Sequence, residues 1–410
     1  MAVKAPNASH HHTALGIKGA LLTKEKLAQP LVGIRQNSFE DGNEITTETD
    51  EGHTGVSNLD MGSYRTKAES APNWEDGLRF GQGFEDYFYL LLSQDTVEAY
   101  NDGSDDVSGI YVHTMAMPSN ATDELPLATI YHGFSKTLTD GRIFNNAMLN
   151  QVDVTFNADN KPTVKPSFIS DYNIVNTINP PREFIDNHLA RTVMAQHTKV
   201  YVGDLSATTL QEMTEIECFK EASFSINNNA ESEACHDDKF GENSKLMGAR
   251  EATGSITMPW TAFTDSNTPK GTRYFETEFE AYEKYGHIVS EQITQKQIWF
   301  QTVGGDILVE EDSDMVSSGV PYESIFKFPV CEVTNVTSTK SGSDAKELTM
   351  EFKVIEQPSQ SYMTAIFTTD LATCHIDTTG QTRSAVYPPL KDGSNNNIPA
   401  NQVFAPYASQ

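Results

Sequence analysis

The chain has 410 residues, 38% apolar and 10% aromatic, enough for two or three domains each with its own core. Fifty-seven acidic residues stand against 29 basic ones, a formal charge of −28. That balance repels nucleic-acid phosphates and anionic membrane surfaces, which excludes ordinary DNA binding driven by clustered Lys and Arg.

In chain order, residues 1–30 read as an N-terminal arm, opening on the turn-like Ala5-Pro6-Asn7-Ala8-Ser9 and closing at Gln29-Pro30. A first β-rich unit is expected over 31–180. Its residues 38–76, rich in Glu, Asp, Thr and Gly, predict an exposed hairpin or long loop. Gly81-Gln82-Gly83 then introduces Phe84 to Leu92, apolar on nearly every face, which predicts a buried helix. Strands are predicted at Ile110–Met117, Ala128–Gly133, Gln151–Phe156 and Pro162–Ile169. The third alternates apolar and polar residues, as a strand with one wet face should. Asn157-Ala158-Asp159-Asn160 is a turn, and Pro162 and Pro166 mark the strand after it as an edge strand.

Residues 181–198 read as a linker after Asn179-Pro180-Pro181, and a second β unit is expected over 199–370. It opens with Lys199-Val200-Tyr201-Val202 and continues with an alternating strand, Glu221–Ile226, ending at Asn227-Asn228-Asn229. A strand over Ala252–Trp260 follows an acidic loop. Phe275, Phe279 and Tyr282 recur at helical spacing, with Gly286 as a C-terminal stop. Glu347–Val354 is the clearest strand, with Leu348, Met350, Phe352 and Val354 on one face, and Val330–Ser338 is its partner. Residues 371–410, with Pro388-Pro389 and Asn395-Asn396-Asn397, read as a C-terminal arm.

The two units look like copies of one another. Met61-Gly62 precedes Trp74 and Met247-Gly248 precedes Trp260, both by 13 positions counted from the Met. An aromatic, acidic segment follows each Trp, and strand–turn–strand pairs start near Phe144 and near Phe326.

Chemistry-bearing residues are sparse. Cys218, Cys235, Cys331 and Cys374 form no CxxC pair and read as free thiols of a protein made in a reducing cytosol. Met1 to Ser9 has no apolar core of a signal peptide, and the longest apolar run, Tyr87 to Leu92, is too short for a bilayer, so a soluble protein is expected. Asp50-Glu51-Gly52-His53 reads as solvated charge rather than an acid/base pair. Cys235-His236 and Cys374-His375 each offer one metal ligand at most, because adjacent residues on a strand point to opposite faces. His10-His11-His12 belongs to the arm. Asn101-Asp102-Gly103-Ser104-Asp105-Asp106 has calcium-loop chemistry without the bidentate Glu. Glu310-Glu311-Asp312-Ser313-Asp314 is a solvated loop or a piece of a channel wall. Gly81-Gln82-Gly83 lacks the Lys-Ser or Lys-Thr of a phosphate loop. No catalytic, cofactor or metal site is expected, and the protein is read as no enzyme.

On Glu44 to Gly62, Trp74 to Leu92, and the Phe144–Asp171 and Phe326–Glu356 strand pairs, the chain resembles the tail tube proteins of long-tailed bacteriophages, of the kind with two tube domains. The long acidic loops near Asp102 and Glu310 and both arms depart from that pattern. The resemblance implies a mainly β fold of two tandem sandwich or barrel domains, each with a flanking helix. It implies trimeric, pseudo-hexameric rings stacked into a tube of a virion made in the host cytoplasm, with a non-contractile tail favoured. The implied partners are further copies of the chain, the tape-measure protein, the tail terminator, distal tail proteins, and viral DNA passing an acidic lumen unbound. A capsid, decoration or baseplate subunit is the alternative, then a secreted adhesive or carbohydrate-binding β-protein. The first lacks a long spine helix here and the last a signal peptide.

Overall fold

The computed structural model describes residues 12–17, 31–34, 38–49, 63–80, 84–101, 103, 106–117, 125–133, 141–172, 174–176, 182–183, 192–233, 244–259, 295–311, 314–339, 347–357 and 361–371. The first strands are β1 (His12–Ile17), β2 (Leu31–Ile34), β3 (Ser38–Glu40), β4 (Glu44–Thr49), β5 (Ser63–Glu69) and β6 (Asn73–Gly77). After helix α1 (Phe84–Leu92) come β7 (Gln94–Asn101), β8 (Asp106–Ala116), β9 (Ala128–Gly133), β10 (Gly141–Asn157), β11 (Thr163–Ile169), β12 (Ile174–Asn176) and β13 (Arg182–Glu183). The rest are β14 (Thr198–Gly203), β15 (Thr214–Glu215), β16 (Glu221–Asn227), β17 (Glu231–Glu233), β18 (Ser244–Leu246) and β19 (Glu251–Pro259), then β20 (Gln295–Glu311), β21 (Asp314–Thr339), β22 (Glu347–Val354) and β23 (Thr364–Thr369). The protein is mainly β, as expected.

Antiparallel pairing runs β6–β11–β10–β16–β19–β22–β21–β20–β14. The ring closes where Arg79 bridges Thr192 and the Val193 N–H donates to the Leu78 carbonyl at 3.2 Å. The result is a barrel that draws strands from both sides of residues 181–198, so the two expected units share one sheet. At β21 the sheet forks: residues 331–339 pair with β22, while residues 323–327 pair with β23, which leads on to β8 and β7. A second sheet, β13–β2–β1–β9, joins the N-terminal half of β10.

Strand alternation builds the interior. Val152, Val154 and Phe156 of β10, Phe224 of β16, Phe300 of β20, Phe326 and Phe328 of β21, and Phe352 of β22 all turn inward and are buried. Phe224 stands at the centre, 5.1–5.2 Å from the rings of Phe300, Phe326 and Phe328. Each such aromatic pair adds about 0.5–1.5 kcal/mol beyond the area it buries. Helix α1 fills the space between the barrel and the branch. Phe88 meets Phe326 at 4.7 Å and Phe367 of β23 at 5.8 Å, and Phe84 meets Phe367 at 5.4 Å. Trp74 of β6 anchors the helix, donating its indole N–H to the Tyr87 hydroxyl at 3.0 Å and stacking on Phe168 at 5.2 Å. That contact explains the first Trp of the repeat. Trp260 and the helix expected around Phe275 to Gly286 lie outside the described residues, as do Met61 and Gly62.

One expectation is corrected. β11 is not an edge strand, since β10 flanks it on one side and β6 on the other. The Phe168 N–H donates to the Pro72 carbonyl, so by alternation the Pro166 ring nitrogen faces the same β6 side. There the ladder skips from Val164/Asp76 to Ser167/Asn73, and no donor is needed at Pro166.

Candidate functional site: the outer face of the barrel

Because the inward positions are filled, the barrel interior is core and no passage. The outer face is what a partner can reach, and its outward positions divide sharply. Across the neighbouring strands β10, β16, β19 and β22 they read Gln151, Asp153, Thr155; Glu221, Ser223, Ser225; Glu251, Thr253, Ser255, Thr257; and Glu347, Thr349, Glu351, Lys353. No aromatic or long aliphatic side chain interrupts them. The central ones, from Asp153 and Thr155 across Ser223, Ser225, Thr253 and Ser255 to Glu351 and Lys353, line with Lys165 and Glu75 a shallow trough of about 780 Å³.

Short side chains tie the face together. Ser223 and Ser255 hydroxyls lie 3.0 Å apart, and those of Thr257 and Thr349 lie 2.9 Å apart. The Gln151 amide donates to Asp153 at 2.7 Å and to Ser225 at 3.1 Å. Lys353 stands 3.5 Å from Glu251, and Lys220 pairs with Glu347. Asp153, Glu221 and Glu351 have no basic ion-pair partner among the described residues. The face is therefore hydroxyl-rich and net acidic. Gly254 lets it lie close on the core: a Cβ there would meet the Phe352 ring at 2.3 Å and the Ser223 carbonyl at 2.6 Å.

The next stretch of the same barrel is covered. On β14, β20 and β21 the outward residues include Tyr201, Trp299 and Lys327, and residues 204–213 fold over them. The Gln297 amide donates to the carbonyls of Asp204, Leu205 and Ala207 at 3.1, 2.9 and 2.8 Å, and Lys327 sits 4.2 Å above the Trp299 ring. Burial holds the Lys327 pKa below its ordinary value.

Most of the residues weighed for catalysis or metal binding fall outside the described part: His10, His11, Asp50 to His53, Gly81 to Gly83, Cys235, His236, Asp312, Ser313, Cys374 and His375; His12 opens β1, opposite Gly133 of β9. Of the calcium-like loop, Asn101 and Asp106 are placed, and they close a turn on themselves, with the Asn101 amide donating to Asp106 at 3.0 Å and the Gly103 N–H to Asn101 at 2.8 Å. Cys218 is exposed and Cys331 buried, its thiol pushed far up by burial. Glu310 and Glu311 end β20 and pair in register with Met315 and Asp314, so that acidic run is the end of a long hairpin. Among the described residues no group of three His, Cys, Asp or Glu side chains converges. No helix among them is long and apolar enough to cross a membrane.

Two buried polar clusters had no signal in the sequence. His113 is fully buried, with Nδ1 2.8 Å from Asp95 and Nε2 2.7 Å from the Leu371 carbonyl. Burial pulls its pKa down, but the Asp95 hydrogen bond and charge and the Leu371 carbonyl outweigh that and leave it raised. Lys245 pairs with Asp171 at 2.7 Å, both nearly out of solvent, and Asn146 donates to the same carboxylate. These partners are 258 and 74 positions apart in the pairs His113–Leu371 and Lys245–Asp171, beyond any local pattern.

No protein-family model matches the chain, and no curated protein matches it by sequence. Among solved structures it is similar to a chain of the virion of a native gene transfer agent particle, 12% identical over 40% of this chain and 93% of that one, with a TM-score of 0.24. It is likewise similar to the SPP1 tail tube, 14% identical over 42% of this chain and 78% of that one, with a TM-score of 0.23. At such scores the likeness carries no weight for function, which rests on the residues above.

Proposed function

We propose that this chain is a structural subunit of a phage-type virion tail, assembling with copies of itself into stacked rings, and that it is no enzyme. The observation that carries this is the bare face of β10, β16, β19 and β22. It is a broad, curved, hydrogen-bonded surface that offers hydroxyls and carboxylates, with Lys165 and Lys353 its few cations. Carboxylates repel phosphates, and Ser and Thr side chains give a base nothing apolar to stack on. A bore lined this way passes DNA without holding it. Since the barrel interior is packed with side chains, such a bore forms between copies. The tape-measure protein, a terminator, distal tail proteins and the DNA in transit are the partners this role requires, and a non-contractile tail remains the favoured kind.

Two tube-like units per chain would close a ring from three copies. The closure of one barrel by strands from both units favours six. Negative-stain images of the purified full chain should show hollow tubes, and averaged end-on views should read the copy number directly. Protein that stays monomeric at every concentration and salt would sink the proposal.

A further inference from the structure

Arg250, half-buried at the entry to β19, is a cation in the wrong company. Its two terminal nitrogens donate to thioethers, Nη1 to Met117 and Nη2 to Met247 at 3.0 Å. Its Nε is shut off from solvent and makes no hydrogen bond among the described residues. The hydroxyl of Tyr362, a residue 7% exposed, is also buried and has no hydrogen-bond partner among the described residues. The two residues lie within electrostatic reach of each other. Thioether sulfur is a weak acceptor, and a guanidinium taken from water without an oxygen acceptor is costly. What two idle donors and one positive charge lack is an anionic oxygen.

Met247, whose sulfur meets the guanidinium, is 40% exposed, and its chain neighbour Leu246 is 50% exposed, apolar surface next to a desolvated charge. That is the make-up of an interface anchor. We propose that Arg250 and Tyr362 form a carboxylate-binding site, roofed by the movable Met247 side chain and filled by an acidic side chain of a second copy of this chain. A chain with 57 acids against 29 bases has carboxylates in excess to offer a second copy, so an Arg without an oxygen acceptor is the scarce partner. Within the chain, Glu251 is engaged by Lys353, and the exposed Glu356 is the intramolecular rival. The site rests on the self-assembly proposed above only for the origin of its carboxylate.

The test uses the full chain at protomeric dilution, labelled with ¹⁵N-arginine, titrated with sodium acetate against sodium chloride at matched ionic strength. The Arg250 Nε–H resonance, assigned by its loss in Arg250→Lys, should shift saturably with acetate alone, and Tyr362→Phe should weaken the midpoint about fivefold or more. No saturable shift overturns the site. In a second arm, Arg250→Met should raise the concentration needed for self-association about tenfold while the melting temperature holds or rises, as expected when an unpaired buried charge is removed. If Arg250→Met and Glu356→Gln instead lower the melting temperature alike, Glu356 is the acceptor and the proposal falls. A wild-type chain that never self-associates defeats the tail-tube reading, and acetate binding then decides this site alone.

Discussion

Two neighbouring stretches of one barrel share their inner chemistry and differ in the outer one. Inside β16 and β22, Phe224 and Phe352 meet the same cluster as Phe300 inside β20. Outside, β16, β19 and β22 present Ser, Thr and Glu and stay bare, whereas β14 and β20 present Tyr201 and Trp299 and are roofed by residues 204–213. A loop closes over a sheet only where it can bury apolar area to offset its ordering entropy. A hydroxyl face gives it nothing to bury. Among the described residues the bare stretch is bare because of its own side chains, which leaves its curved, acidic surface open.

The largest test of that contrast is Trp299→Ala, which removes the roofed stretch's anchor. It should cost about 3–5 kcal/mol in chemical denaturation, and proteolysis should cut within 204–213 first. Gly254→Val under the bare stretch drives a side chain into the Phe352 ring and the Ser223 carbonyl, and about 1–3 kcal/mol should be lost without new cleavage at 204–213. The third test concerns the polar exception inside the fold. His113 has a folded pKa above the ordinary 6.5, so its contribution is complete below that value and is lost as pH rises through the folded one. The melting temperature of the wild-type chain should fall over that window relative to His113→Asn, and parallel pH profiles would refute the ion-paired assignment. The smallest effect on stability belongs to the bare face. Thr253→Lys with Ser255→Lys should change unfolding free energy by no more than about 0.5 kcal/mol. Assembled tubes of that variant should nevertheless bind duplex DNA in a salt-sensitive way, and wild-type tubes should not.

Legibility followed alternation. Glu347–Val354 and Ala128–Gly133 were read to the residue, and Phe84–Leu92 was read as a buried helix because its apolar residues leave no wet face. Of β21 the sequence indicates Val330–Ser338, within a strand pair starting near Phe326; in the fold the strand runs unbroken from Asp314 to Thr339, past Gly319, Pro321 and Pro329. β7 has no signal in the sequence because Gln94–Asn101 has no apolar face of its own and, among the described residues, pairs with β8 alone. The candidate face was visible as residues but not as a face. Nothing local says that Ser223 lies beside Ser255, or that Thr257 lies beside Thr349.

The sequence by itself determined the acidic charge, a matter of composition, and the β class, the helix and the two sides of its clearly alternating strands, which depend on neighbours two to four positions away. Tertiary structure alone decided that strands from both units close one barrel. It alone placed Trp74 on Tyr87 and seated His113 between Asp95 and Leu371. Pairing register and barrel closure are set by contacts between segments tens to more than a hundred residues apart, where many pairings satisfy the same alternation and only the packed interior selects one.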